Sequence, residues 1–545
     1  MSSIPVKDTG IKDALDIIKI VRILAAAALL ILANTLNVTA FTFVVLSVAA
    51  ALIAGFDMVL NAAAAIGEKD YFNYNIILIF VAVVGFAAGC ANEACLLIIM
   101  YQLGSLLLGY AMYRSRKEIF SFIPDDDSDT AEAFREIVSK PTALKSSVLT
   151  KTAPIMDMLL KAALLVALIY AVLMPLITEM TYVMSIRRGL MLILAAAPAS
   201  ALISFPLSAE TGLALAASHG VLVKNSEGLE ELSHVTAAAF DKDEVFADAC
   251  PKLASISSPI LDNGTFKALA AYVAYNSQLR IAVPILAAYK GTVMPQYIEK
   301  SNDIPGCGME VTIHGIPLCI MTKDVFDARN IAIPEKDVRG GFTFYMAVAN
   351  KYAGRICFKE NVNPYAQAVV SDLKEFGGIR TVLLSDDSEG ATADFAETVG
   401  ADEFHYGCTS EKKAEILEEI KTSLDEGEKL MYVSAENGEF HSSADIDARV
   451  GDDDGADMRM SSVGVFGLPV AYTASKRVCE IQKANLIAIV LLKLVLVILA
   501  LLGYATLWFI AFIDMVLACA AVLNSIQVTN DSLISQLKNR MGSRK

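Results

Sequence analysis

The chain has 545 residues, of which 55% are hydrophobic and 19% charged, and its mean hydropathy is +0.51. Soluble proteins of this length carry more charge, so the composition predicts a membrane protein. The net charge of −15 argues against nucleic-acid binding, which needs a basic surface. The nine cysteines include no Cys-x-x-Cys pair, and those of the soluble region are expected to be reduced cytosolic thiols.

Apolar segments predict eight membrane spans, because a spanning helix needs about 20 mainly apolar residues. The candidates are residues 17–36, 40–64, 74–90, 92–112, 157–178, 188–208, 484–503 and 505–527. The start of the chain lacks the basic start and cleavage site of a signal peptide, so it is expected to be an amphipathic lead-in to the first span.

Two loops lie on the same side of the membrane, because an even number of spans separates 113–156 from 223–480. The first loop begins "YRSRKE", a basic cluster typical of the cytoplasmic side. Arg187 and Arg188 then fall on the opposite side, against the positive-inside rule.

The region 223–480 alternates strands with helices. The segments "HVTAAAFDK", "IRTVLLSDD" and "KLMYVSAENG" read as strands, and the first is an apolar run that ends in charged residues, as a buried parallel strand does. The alternation predicts a doubly wound sheet with its site at the carboxyl ends of the strands, where Asp241 and Asp387 lie. Residues from about 250 to 355 interrupt the pattern and are expected to form an inserted domain.

Several motifs resemble the heavy-metal-transporting branch of the P-type ATPases. They are "LIAGFDMVLNAA", "GCANEACLLIIMYQLGSLL", "APASALISFPLSAETGLALAASHGVLVKNSEGLEEL" and "ANLIAIVLLKLVLVILALLGYATLWFIAFIDMV". The last one is similar to the zinc/cadmium/lead subgroup. The resemblance implies a polytopic α-helical membrane protein with about eight transmembrane helices. It also implies a cytosolic α/β domain, haloacid-dehalogenase-like and doubly wound, which carries an inserted α+β domain.

The resemblance divides the chain into membrane and cytosolic parts. The membrane parts are 1–112, 157–222 and 481–545; the loop 113–156 matches a truncated actuator domain; 223–250 with 356–480 match a split phosphorylation domain; and 251–355 match the nucleotide-binding domain.

The resemblance assigns an ion site to the membrane helices. Lys493 and Asp514 match an intramembrane Lys and the Asp of an Asp-x-Gly, with Val516 where the Gly stands, and Glu93 matches a family carboxylate near the mouth of the ion pathway. A charge inside a bilayer costs at least about 2.5–3.5 kcal/mol, so it faces a partner or a cavity. A Lys–Asp pair that only locks two helices together explains Lys493 and Asp514 equally well.

The central metal ligands of the family are replaced. Its Cys-Pro-Cys is Ala197-Pro198-Ala199 here, and methyl groups do not coordinate a soft cation. Cys90 stands in place of another family carboxylate, and Cys519 is a candidate substitute thiol that core packing also explains.

The resemblance places the phosphoryl chemistry at Asp241, Lys242, Asp387 and Lys413. Asp241 would be the nucleophile, and Lys413 would neutralise phosphate. The family sequence after the Asp, Lys-Thr-Gly-Thr, reads Lys-Asp-Glu-Val here, and Glu244 replaces a Gly that lets phosphate approach the backbone. The magnesium-binding Gly-Asp-Gly-x-Asn-Asp becomes residues 434–439, "SAENGE". A scaffold sheet with ordinary acids at its strand ends is the alternative.

Nucleotide binding is predicted at Gly306 and Gly308, which match the adenine-side loop of the inserted domain. A tight hairpin turn explains this Gly-x-Gly as well. The family's His-Pro pair is Leu279-Arg280 here.

The family's actuator domain carries a Thr-Gly-Glu that hydrolyses the aspartyl phosphate. Residues 113–156 contain no Thr-Gly-Glu and match only the helical return segment that follows the actuator.

Two main functions remain open, and both place the chain in the cell membrane with its large domain in the cytosol. One is a catalytically impaired pseudo-pump with a sensing, scaffolding or partner-subunit role, which implies a partner membrane protein. The other is an ATP-driven translocase for Zn, Cd or Pb that uses ATP and Mg. An ATP-independent ion pathway through Lys493 and Asp514 is a third hypothesis. The expected partners are lipid and ATP, and not nucleic acid.

Overall fold

The structure is a computed structural model that divides into two compact units, Met1–Ser233 with Val470–Lys545, and His234–Pro469. The structure describes residues 17–36, 39–67, 73–121, 147–196, 199–246, 251–279, 281–304, 307–334, 342–359, 362–363, 365–386, 389–435, 442–451, 455–460, 464–530 and 532–544. Most of the loop 113–156 and the Ala197-Pro198 pair lie outside these ranges.

The N-terminal part of the first unit is helical. Its elements are α1 (Ile17–Thr35), α2 (Ala40–Gly67), α3 (Tyr74–Ala87), α4 (Ala91–Ser121), α5 (Ser147–Ile177), α6 (Tyr182–Ala196), α7 (Ala199–Ala217), a short strand β1 (Val221–Val223) and α8 (Ser226–Leu232). The side chain of Asn73 caps α3 by accepting from the N–H of Asn75 at 3.1 Å. Gly89 has a φ of +80° in the turn to α4, a conformation that glycine adopts without strain.

The second unit contains a parallel sheet built from the predicted strands. It is formed by β2 (Val235–Asp241), β9 (Arg380–Leu384), β10 (Glu403–His405), β11 (Lys429–Ala435), β12 (Ile446–Val450) and β13 (Met458–Met460). Within this unit the order is β13-β12-β11-β2-β9-β10, and all neighbours are parallel. Helices α12 (Ala366–Gly377), α13 (Glu389–Val399) and α14 (Ser410–Thr422) connect its strands. The prediction of a doubly wound sheet is confirmed.

The chain between β2 and β9 forms a separate antiparallel sheet. Its strands lie in the order β3-β8-β7-β6-β5-β4. Its strands are β3 (Lys252–Ser257), β4 (Ile298–Ile304), β5 (Gly308–Ile313), β6 (Ile316–Met321), β7 (Phe342–Val348) and β8 (Lys351–Lys359). Helices α9 (Asn263–Ala274), α10 (Ala282–Ala288) and α11 (Lys323–Ala328) accompany them, and Phe266 of α9 is fully buried in the core that they share. This is the inserted α+β domain.

Three helices complete the chain: α15 (Leu468–Leu502), α16 (Leu507–Ser525) and α17 (Ser532–Arg544). Short 3-10 turns occupy Pro295–Tyr297, Gly464–Gly467 and Ile526–Asn530.

Among the described residues, six helical segments are long and apolar enough to cross a membrane. Two of the eight predicted spans do not form a single helix of that length. Helix α3 has 14 residues, because the turn at Gly89 follows it, and the predicted span 188–208 falls on two helices, α6 and α7. These segments agree with the prediction of a multi-pass membrane protein.

Small residues let the membrane helices approach each other closely. A Cβ at Gly104 of α4 would lie 2.3 Å from the Cβ of Met515 on α16, and one at Gly189 of α6 would lie 2.9 Å from the carbonyl oxygen of Ala167 on α5. Packing through small residues is how helices associate in lipid, where burial of apolar surface gives no driving force.

Candidate functional site

Asp241 is the last residue of the central strand β2. The strand is buried, and its Ala237 and Ala239 share a core with Leu417 of α14. A short π-helical turn, Lys242–Phe246, follows the strand directly. The ring of Phe246 packs on Phe240 with centroids 4.8 Å apart, which fixes the turn against the strand. Such π turns are frequent at functional sites.

Two side chains from other elements converge on the Asp241 carboxylate. Lys413, in the first turn of α14, forms an ion pair with its Oδ2, and the hydroxyl of Tyr432 on β11 donates to the same oxygen at 3.2 Å. The side chains of Asp241 and Lys413 are 6% and 18% exposed. The carboxylate is therefore held in one orientation by a buried counter-charge and a hydroxyl, as a carboxylate in a low-dielectric site requires.

The neighbouring strand end supplies a buried hydroxyl. Ser385 follows β9, and its N–H donates to the carbonyl of His405 while its carbonyl accepts from Cys408, at 3.0 and 2.9 Å. Burial raises the pKa of the Cys408 thiol, which behaves as a core side chain. Asp387, one of the predicted catalytic residues, lies outside the described residues.

Lys242 is fully buried, and its Nζ lies 5.5 Å from the centroid of the Phe395 ring. A cation over an aromatic face is stabilised by the ring quadrupole. This contact directs Lys242 toward α13, whereas Lys413 makes the ion pair with Asp241.

Magnesium takes carboxylates as its protein ligands, and among the described strand ends Asp386 follows Ser385 after β9. Strand β11 is the neighbour of β2, and its residue Ser434 lies in register with Arg449 of β12. Arg449 pairs with Asp447 at 2.9 Å. The described residues hold no group of three or more His, Cys, Asp or Glu that could bind a metal ion. Glu436 and Glu439 lie outside them.

The predicted nucleotide loop is partly described. Gly308 starts β5 with a φ of +134°, and a Cβ there would lie 2.1 Å from the carbonyl oxygen of Ile320. Close pairing of β5 and β6 therefore requires a glycine at this position. Gly306 and Arg280 lie outside the described residues. Nearby, Asp303 accepts from the N–H of Gln278 at 2.8 Å.

Lys493 and Asp514 meet inside the membrane unit. The Nζ of Lys493 lies 2.8 Å from Oδ1 of Asp514, and the Asp side chain is 1% exposed. The Tyr74 hydroxyl donates to Oδ2 at 3.2 Å, and Lys493 also reaches the carbonyl oxygen of Ala195 at 3.5 Å. Both carboxylate oxygens of Asp514 therefore have partners from this chain.

Glu93 lies away from this pair, in the first turn of α4. It forms an ion pair with Arg187, which belongs to the second turn of α6. Both residues are therefore at the end of the helices opposite the cytosolic loop 113–156. The pairing also explains how Arg187 is tolerated on that side of the membrane, and Arg188 donates to the carbonyl of Leu501 at 3.2 Å.

A third ion pair joins α1 and α2. Arg22 lies 2.6 Å from the Asp57 carboxylate, and its guanidinium stands over the ring of Phe56 at 5.7 Å. Cys519, the candidate substitute thiol, is half-buried on α16.

No protein-family model matches this chain. It is 26% identical over 381 residues to a cadmium, zinc and cobalt-transporting ATPase of Bacillus subtilis, covering 67% of this chain and 54% of the relative. It is 27% identical over 263 residues to a zinc/cadmium/lead-transporting P-type ATPase of Escherichia coli, covering 48% and 36%. The chain is a homologue of the heavy-metal-transporting P-type ATPases.

The solved structures agree on the fold of this ATPase homologue. A crystal structure of a zinc-transporting PIB-type ATPase superposes with a TM-score of 0.61 at 17% identity, covering 94% of this chain and 99% of the other. A second crystal structure of such a pump, in another state, gives 0.56 at 18% identity. The chain spans about half the length of the curated relatives it matches.

Sequence reasoning about the homologue missed four contact residues: Tyr432, Tyr74, Arg187 and Arg22. Each acts on a predicted or neighbouring acid across a large sequence separation, 191 residues for Tyr432 and Asp241. The available signal was weak. A basic residue inside an apolar helix, as at positions 22 and 187, predicts that an acidic or polar partner is present but does not identify it.

Proposed function

We propose that this heavy-metal ATPase homologue does not complete an ATP-driven transport cycle and acts in the membrane as a sensing, scaffolding or partner subunit. One observation is the main support for this proposal. Three acids of the membrane helices, Asp57, Glu93 and Asp514, are each paired with a basic side chain of the same chain.

Internal pairing raises the cost of binding a cation, and the transporting family, which has the same Lys and Asp in its ion site, also has the thiolates of Cys-Pro-Cys as ligands. A divalent cation that used Asp514 would have to displace Lys493 or share the carboxylate with it, and like charges a few ångströms apart repel strongly in a low dielectric. The Ala-Pro-Ala at 197–199 supplies no side-chain ligand to offset this cost.

The cytosolic unit supports the same proposal. Phosphoryl transfer needs positive or neutral groups around the transferred phosphate. Here the acidic residues Asp243 and Glu244 follow Asp241 and Lys242 in the sequence, where the family has Thr and Gly. The segment 113–156 also lacks the Thr-Gly-Glu that would supply hydrolysis of an aspartyl phosphate.

An ATP-driven zinc, cadmium or lead translocase is the second candidate. The retained Asp241–Lys413 pair favours it, because a buried nucleophile with an adjacent cation is the arrangement that phosphorylation by ATP requires. The curated relatives that carry the names of transporters also point this way.

Metal uptake separates the two candidates. The full chain is reconstituted in lipid vesicles, and Zn²⁺ and Cd²⁺ uptake is followed with and without ATP and Mg²⁺. We expect ATP to leave the uptake unchanged and Asp241→Asn to behave as the wild type. ATP-dependent uptake that disappears in Asp241→Asn would establish the translocase instead.

A further inference from the structure

Helix α17 follows the last predicted span, α16, at a short distance. A 3-10 turn of five residues, Ile526–Asn530, lies between the two helices, and at a rise of about 2 Å per residue it spans about 10 Å. Helix α17 belongs to the same compact unit as the membrane helices. In the predicted topology α15 and α16 each cross the membrane once, so α17 returns to the side of the large domain. It therefore begins within reach of the headgroups of the cytosolic leaflet.

Helix α17 has one buried apolar side and one exposed side that mixes apolar and basic residues. Ile534 and Leu537 lie three residues apart and are both fully buried. Leu533 is 41% exposed, and Arg540 follows it by seven residues, a spacing that places both on one face of a helix. An exposed apolar side chain that shares a face with a basic one is typical of a helix that lies in the membrane interface.

The segment 532–545 carries charge of one sign. It contains no acidic residue and four basic ones, Lys538, Arg540, Arg544 and Lys545, in a chain whose net charge is −15. A cluster of about four or more basic residues next to the cytosolic end of a span attracts anionic phospholipids, and the attraction falls off within a Debye length, about 10 Å at 0.1 M salt. The start of α17 lies at about this distance from the end of α16.

Positive charge alone would satisfy the positive-inside rule for this side of the membrane. The amphipathic helix and its exposed leucine are the additional features that a lipid-binding element has. We propose that α17 binds the headgroups of anionic phospholipids in the cytosolic leaflet through the four basic residues of the segment 532–545. The inference goes beyond the proposed function, because a lipid-bound α17 is compatible with a pump and with a subunit that does not cycle.

Hydrogen exchange of the full chain in lipid nanodiscs tests the inference. One set of discs contains only zwitterionic phosphatidylcholine, and the other also contains phosphatidylglycerol, which is anionic. The amides of Ser532–Arg544 should exchange at least about tenfold more slowly with phosphatidylglycerol present, because lipid bound to the folded helix opposes its opening. In 1 M salt, where the Debye length falls to about 3 Å, the difference should disappear. Exchange of α15 and α16 is the internal reference and should be equal in both lipids.

A variant in which all four basic residues of the segment 532–545 are changed to Gln should lose the lipid dependence of α17. Unchanged exchange of α15 and α16 in this variant shows that the membrane unit is still folded. Lys476→Gln combined with Lys483→Gln is the matched control, because it removes basic residues of α15 and should leave the lipid dependence of α17 intact.

Equal exchange of wild-type α17 in the two lipids overturns the inference. Slow exchange that is lost in the variant without basic residues but is the same in both lipids also overturns it, because the partner of α17 would then be an acidic surface of the chain itself. Phosphorylation of Asp241 by ATP would refute the proposed function and leave this inference unchanged.

Discussion

At the residue scale, the pairing of buried charges is the main feature of both units. Lys413 holds Asp241 in the cytosolic unit, and Lys493 holds Asp514 in the membrane unit. A buried pair adds little net stability, but removal of one partner leaves an uncompensated charge that costs about 3–5 kcal/mol. Each pair can therefore be tested by deleting the lysine alone.

Lys413→Met should weaken the cytosolic unit. Loss of the counter-charge of Asp241 should lower the free energy of the local opening that exposes Cys408 by about 3 kcal/mol. Alkylation of the buried Cys408 should therefore become about a hundredfold faster. Lys412→Met is the control, because Lys412 contacts the carbonyl oxygen and the ring of Tyr406 at the surface. Unchanged alkylation of Cys408 in Lys413→Met would contradict the account.

Lys493→Met should destabilise the membrane unit, whereas Lys493→Met combined with Asp514→Asn should recover most of the loss. The single change leaves a carboxylate that is 1% exposed without its cation, and the double change removes both charges. The expected loss for the single variant is about 3 kcal/mol, measured as the thermal midpoint of the purified chain in detergent. A double variant no more stable than the single one would argue against the pair.

At the element scale, the close approach of β5 to β6 gives Gly308 a structural role, while Gly306 lies outside the described residues. Gly308→Ala should cost at least about 2 kcal/mol, because its Cβ would meet the backbone of the adjacent strand at a φ of +134°. Gly315→Ala is the milder control, at about 1 kcal/mol, since its φ is +73° and its surroundings are open. Hydrogen exchange of β5 and β6 measures both effects. Unaltered exchange in Gly308→Ala would contradict the steric role of this glycine.

Asp445 connects α14 to β11. It accepts from the N–H of Leu430 at 3.0 Å and pairs with Lys421 and Lys429 at 3.2 Å each. Burial acts to raise the pKa of this carboxyl, but these hydrogen bonds and lysines outweigh it and lower the pKa. A lowered folded-state pKa stabilises the domain above the unfolded value of about 3.9, and the contribution is lost as the pH falls below it.

Asp445→Asn should therefore destabilise the cytosolic unit by about 1–2 kcal/mol at pH 7. The difference from the wild type should shrink as the pH falls to about 3. Urea unfolding of the solubilised chain, followed by circular dichroism at several pH values, measures this. A difference that stays constant with pH would show that Asp445 contributes through packing alone.

The elements were predictable where their signals are local. The segment "HVTAAAFDK" contains β2, and "KLMYVSAENG" contains β11, because buried parallel strands read as continuous apolar runs. The short α3 was not predicted, because the position of the turn at Gly89 depends on packing. The antiparallel order of the inserted sheet depends on long-range pairing that one sequence does not reveal.

At the scale of the whole molecule, the sequence predicted which residues are chemically notable and that Lys493 and Asp514 could pair, but not the partners of Glu93 and Asp57. The positions of Asp241, Lys413, Lys493 and Asp514 followed from the family resemblance, and the structure brings each lysine to its acid. The Glu93–Arg187 pair joins helices 94 positions apart in sequence, so only the fold could identify it. Two units that retain the family fold with internally paired charges are the basis of the pseudo-pump proposal.

The measurement that tests this proposal most directly is phosphorylation by ATP. Membranes containing the full chain are incubated with γ-labelled ATP and Mg²⁺, with and without Zn²⁺ or Cd²⁺, and quenched in acid. We expect no acid-stable label above that of Asp241→Asn membranes under any of these conditions. Metal-dependent label in the wild type that is absent from Asp241→Asn would contradict it and establish a working phosphorylation site.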